Sequence, residues 1–152
     1  MGLQDTIDAL WSEVVSRLET NLSSDYPGTK LHTWRAFYAN RTSKAVVVLS
    51  RSVTMRNAAV RLLEGELTVQ FGCMADSGDF ETGQKDSEAL AYWLSETMLA
   101  DPFLDGAARD VRVDAIDLDF DAPTEIAGDE PERSSKRWSS VVVTWEFNHS
   151  RP

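Results

Sequence analysis

An α+β fold is predicted: a mostly antiparallel sheet with two helices packed on one face and a long loop between the last two strands. Three observations predict it. Apolar residues recur at helical spacing near the start of the chain and again around residues 90–98. Segments at 45–49, 66–73, 111–120 and 138–147 run apolar or alternate, as strands do. The elements also come as helix, several strands, helix, long strand, long loop, strand. Such an order favours helices gathered on one side of an antiparallel sheet. A length of 152 residues fits a single domain, 1–152, that buries its own core without disulfides or metals. The 42% apolar content is globular rather than disordered.

Leu3, Ile7, Leu10, Val14, Leu18 and Leu22 share one face of the first helix. Asp5 and Asp8 favour the positive end of its dipole, and Tyr26-Pro27-Gly28 ends it. Between Lys30 and Asn40, Trp34, Ala36 and Tyr38 alternate with Arg35 and Phe37, which predicts a strand with one partly exposed face. The continuous run Ala45-Val46-Val47-Val48-Leu49 predicts a strand covered on both faces. Residues 53–62 read two ways: Val53-Thr54-Met55 looks extended, whereas Asn57 to Leu63 can form a helical turn. Leu67, Val69, Phe71 and Cys73 alternate with polar or small residues in a half-buried strand.

Residues 74–85 hold turn chemistry and three acids, so a loop is predicted there, with Asp86 or Ser87 capping a second helix. Its buried face would be Leu90, Trp93, Leu94, Thr97 and Met98, and Asp101-Pro102 would close it. In the next strand the apolar parity flips between Val113 and Ile116, which predicts a β-bulge or bend. Residues 121–137, with two prolines, one glycine and eight charged residues, cannot make core and read as a flexible loop. The final strand carries Val141, Val143, Trp145 and Phe147 on one face.

Composition narrows the function. Fifteen basic residues against 25 acidic give a net charge of −10, which repels phosphate backbones and argues against general nucleic-acid binding. Solubility is the plain meaning of that charge; the sharper ones are a surface that lets nucleic acid pass, or one that mimics it. No run reaches the ~20 apolar residues of a membrane span. The opening Met1-Gly2-Leu3-Gln4-Asp5 does not resemble a secretory signal, and the single Cys73 fits synthesis in a reducing cytoplasm. His32 and His149 lack metal-ligand spacing, Cys73 reads as a small core hydrophobe, and no nucleophile elbow or phosphate loop occurs. No catalytic role and no cofactor are expected.

Asp117, Asp119 and Asp121 alternate with Ile116, Leu118 and Phe120, so a strand there buries the apolar set and turns three carboxylates outward together. Neighbours on one strand face stand about 6.6 Å apart and point in parallel, so they converge poorly on a calcium ion. Plain solvation and a functional negative surface remain the readings. Trp138 and Trp145 share neither a face nor a basic neighbourhood, which disfavours a stacking platform for single strands. The patch Arg133-Ser134-Ser135-Lys136-Arg137 could pair with acids on a neighbouring copy.

The layout resembles the tail terminator and related head–tail neck proteins of long-tailed bacteriophages. The resemblance is carried by the N-terminal helix, the strands Ala45–Leu49 and Glu66–Cys73, and the helix Ser87–Ala100 ending in Asp101-Pro102-Phe103-Leu104-Asp105-Gly106. Two strands flanking a long loop complete it, over about residues 3 to 147. It implies a structural virion protein of the tail and neck, forming a six-fold ring that ends the tail tube and joins tail to head. Its partners would be further copies of itself, the tail-tube protein and a head–tail connector or stopper, with DNA passing unbound and no membrane involved. Asp117, Asp119 and Asp121 would line the channel or form an exposed acidic face. Glu125, Asp129, Glu130, Arg133, Lys136 and Arg137 would serve as an assembly loop. The alternative is an acidic inhibitor or DNA mimic that blocks a basic enzyme.

Overall fold

Leu10, Val14, Leu18 and Leu22 are the buried stripe of α1 (Leu3–Asp25) in a computed structural model that describes residues 2–33, 43–121 and 136–150. The Asp5 carboxylate accepts the Gly2 N–H at 3.1 Å and occupies the positive end of the helix. After Tyr26-Pro27 the chain turns at Gly28, whose φ of +89° suits a residue without Cβ. β1 (Lys30–His32) follows; residues 34–40 of the strand predicted there lie outside the described residues.

β2 (Lys44–Ala59) and β3 (Leu62–Asp76) form a long antiparallel hairpin. Ala45–Leu49 is buried throughout, as its continuous apolar run predicts. The extended reading of Val53–Met55 holds, and the helical turn at 57–63 does not. Asn57 pairs with Leu63, Ala59 pairs with Leu62, and Val60-Arg61 makes the turn, with Arg61 at φ +66°.

The expected loop at 74–85 is a correction. β3 runs on to Asp76, and α2 (Phe80–Ala100) begins inside the predicted loop. Its cap is Asp79, whose carboxylate accepts the Thr82 N–H at 2.9 Å, not Asp86 or Ser87. Asp86 accepts the Ser77 hydroxyl instead, and Ser87 Oγ lies 3.1 Å from Ser139 Oγ beneath the helix. Leu90, Leu94 and Met98 are buried as expected, along with Ala91 and Ser95, whereas Trp93 and Thr97 are half-buried. Asp101 ends the helix before Pro102.

β4 (Asp110–Asp117) and β5 (Lys136–Ser150) complete, among the described residues, a five-stranded sheet in the order β1-β2-β3-β5-β4. Among the described residues β1 and β2 pair in parallel, and every other pair is antiparallel. The fold is therefore α+β, with both helices on one face. Beneath them lie Val46, Val48, Phe71, Cys73, Val141 and Val143, with Trp145 and Phe147 towards the end of β5. These strand residues pack against Leu10, Val14, Leu18 and Leu22 of α1 and against Leu90, Leu94 and Met98 of α2, in one core.

The parity flip in β4 is a bulge. Val113 pairs with Val143 and Ala115 with Val142, leaving Asp114 as the extra residue. A second, smaller apolar cluster lies on the opposite, open face of the sheet: Ala45, Val47, Leu49, Met74 and Trp138, with Phe120 packed against them.

Candidate functional site

The open face beyond that cluster is built from alternate residues of four strands, and its charges are paired across them. Arg112 donates to both carboxylate oxygens of Glu66 at 3.2 Å and, through Nε, to Asp114 at 2.8 Å. Arg109 bridges Glu64 at 3.1 Å and Glu146 at 3.3 Å, and Arg56 Nε reaches Glu64 at 2.8 Å. The Thr144 hydroxyl donates to Asp114 and lies 2.9 Å from that of Thr68. A shallow cleft of about 360 Å³ opens over Thr54, Arg56, Glu64, Glu66, Arg109 and Glu146.

These pairs move Glu64, Asp114, Arg109 and Arg112 away from neutral titration. Hydrogen bonds from Arg56 and Arg109 hold Glu64 below the usual carboxylate range. Burial pushes Asp114 up, but the Thr144 hydroxyl and Arg112 outweigh it and leave the carboxyl lowered. The bonds to Glu66 and Asp114 push Arg112 higher still. A general acid or base works best with a pKa near the working pH. This lattice instead ties β2, β3, β5 and β4 together. Cys73 is fully buried, and burial pushes its thiol up to about 12, so little thiolate forms at neutral pH. Among the described residues no three His, Cys, Asp or Glu side chains converge to hold a metal ion.

The acidic row is organised differently from the sequence expectation. β4 ends at Asp117, so Asp119 and Asp121 do not continue one strand face, although all three are exposed. The Asp117 carboxylate instead accepts the Asp119 N–H at 3.2 Å, turning the chain. Ile116 is exposed, and Leu118 and Phe120 are only half-buried, so the apolar set is not the buried face that its alternation predicts. Ile116 pairs with Val141 on the helix side, whereas Phe120 packs with Trp138 on the open side.

Of the expected assembly loop, Glu125, Asp129, Glu130 and Arg133 lie outside the described residues. Lys136 and Arg137 belong to β5, not to a loop: Lys136 is buried, and the Arg137 guanidinium stacks 3.8 Å above the Phe80 ring. Trp138 and Trp145 do sit on opposite faces of the sheet, and neither indole N–H has a partner among the described residues.

The sequence reading does not reveal one further surface. Tyr92 and Leu99 are exposed on the side of α2 away from its buried stripe, and the exposed Phe103 follows just beyond the helix end. The water-facing side of a helix is normally polar. No protein-family model matches the chain, and no curated protein matches it. No helix among the described residues is long and apolar enough to cross a membrane.

Proposed function

We propose that this chain is a structural assembly protein that closes into a ring, as tail-terminator and neck proteins of long-tailed phages do. In that setting it would end the tail tube, meet a connector or stopper, and leave a passage for DNA within the virion. The observation that carries the reading is the exposed set Tyr92, Leu99 and Phe103, large apolar side chains set where an isolated helix would present polar ones. Protein partners cover such surfaces, and aromatic residues are enriched at their buried centres. The α+β layout of two helices on one sheet agrees with the resemblance read from the sequence.

The test is the native mass of the protein, alone and with tail-tube protein, for the wild type and for Leu99→Lys/Phe103→Lys. The wild type should form closed oligomers that bind the tube, and the double variant should remain folded but lose assembly. A wild type that stays monomeric, ignores tail-tube protein and instead forms a tight complex with a basic enzyme would replace the ring with the inhibitor reading.

A further inference from the structure

The charge of this chain is segregated along the sequence, and the topology turns that segregation into two opposed edges. Residues 26–63 contain seven Lys and Arg and no Asp or Glu, so all 25 acidic residues lie elsewhere. Five of the seven, Lys30, Lys44, Arg51, Arg56 and Arg61, lie among the described residues, and the described part of the stretch supplies β1 and β2, one side of the sheet. β4 supplies the other, with the exposed Asp110 and Asp117 at its two ends and the exposed Asp119 just beyond it. Lys30 and Arg51 are exposed on the basic side and have no carboxylate partner among the described residues; Arg51 stacks 4.7 Å over Trp11.

The two edges also match in register and strand sense. A single row of paired residues crosses the whole sheet from His32 through Val47, Gly72 and Ser140 to Asp117. Lys30 stands two residues from one end of that row, and Asp119 two residues from the other. The pairings make β4 antiparallel to β1. A neighbouring copy placed beside that edge, and rotated as sheet twist and ring closure require, therefore brings Asp117 and Asp119 towards Lys30, with strands in the antiparallel sense. Among the described residues β4 is an edge strand, and its outer backbone groups can accept such a neighbour.

We infer that the acidic β4 edge of one copy seats against the basic β1–β2 edge of the next, head to tail. The inference rests on the ring reading above and names its joint. Such a contact is heterologous, joining two different surfaces, and it closes a ring when the rotation from copy to copy adds up to a full turn. It gives Asp117 and Asp119 a role at the joint between copies in place of one lining a channel. Opposite charge sets the partner and the register, and salt weakens both.

The experiment compares sedimentation of the wild type with Lys30→Glu/Arg51→Glu and with Asp117→Lys/Asp119→Lys, folding being checked by circular dichroism. Wild-type association should weaken with salt, and each reversal should raise the concentration needed for assembly by about tenfold or more. An equimolar mixture of the two variants should reassemble, because each reversed edge then meets its complement on the other variant. A reversal that merely unfolded the chain would not be rescued; Lys30→Gln/Arg51→Gln then serves as the milder basic-edge variant, again with assembly expected to fall. Oligomers unchanged by either reversal would overturn this joint and leave the ring standing, whereas a wild type that never associates would remove the ring as well. Intact rings of the Asp→Lys variant that retain duplex DNA would return those acids to a channel. Duplex binding by the wild type, lost in Lys30→Glu/Arg51→Glu, would make the basic edge a nucleic-acid surface instead.

Discussion

Gly72 leaves room for Trp138: a Cβ at position 72 would stand 2.9 Å from Cζ3 of the indole and 3.3 Å from Cδ1 of Leu49. The two residues are diagonal neighbours, since Gly72 pairs with Ser140 and Met74 with Trp138. Gly72→Ala should lower stability by about 1–3 kcal/mol through overpacking. Adding Trp138→Phe should recover part of that loss, because the smaller ring frees space and removes a buried N–H without a partner among the described residues. Urea unfolding of the single and double variants measures both effects; an unchanged midpoint for Gly72→Ala would contradict the packing described.

Acid should loosen the open face. Glu64 and Asp114 titrate below their ordinary values in the folded chain. Their contribution is therefore complete above the unfolded carboxylate range, about pH 4, and is lost as pH falls through the folded values. In Glu64→Gln/Asp114→Asn the decline of stability below about pH 4 should be shallower than in the wild type. Urea midpoints followed across that range provide the check, and identical slopes would deny these carboxylates a role in acid sensitivity.

Cys73 should resist alkylation in the native state at mildly alkaline pH, because its thiol is buried and its pKa is pushed up to about 12. Labelling should appear only as urea unfolds the chain, in step with the loss of circular dichroism. Rapid native labelling would mean that the strand carrying Cys73 opens locally.

Asp79→Ala should lower the melting temperature by removing the acceptor for the Thr82 N–H, and Asp79→Ser should retain most of the wild-type value. Equal melting of all three proteins would remove Asp79 as the cap of α2.

What the sequence reveals depends on burial leaving a period. The α1 stripe, the β5 alternation and the parity flip before Ile116 are all legible, because one side of each element meets the core. The outer part of β2 is not, since residues 50–59 are exposed apart from half-buried Met55, and their extension is held by pairing with β3. The start of α2 is hidden because Ser77-Gly78-Asp79 and Gly83 look like turn residues, although Asp79 is the cap that begins the helix. Tyr92, Leu99 and Phe103 show their spacing in the sequence, but which side of α2 meets water is decided by packing. The acid-free stretch 26–63 is equally visible, and gains its meaning only from the sheet order that sets its strands β1 and β2 opposite β4.

The bulge in β4 also decides which changes of chain length this strand can absorb. Losing one residue from a strand normally exchanges its two faces beyond that point. Here Asp114 and Ala115 together oppose Val142. Deleting Ala115 would let Asp114 take that place alone, with Ile116 still opposite Val141 and Asp117 still opposite Ser140. Deleting Val113 would have to draw a neighbour into the core in its place. Along β4, the spare residue makes one site where a deletion keeps the sense of both faces.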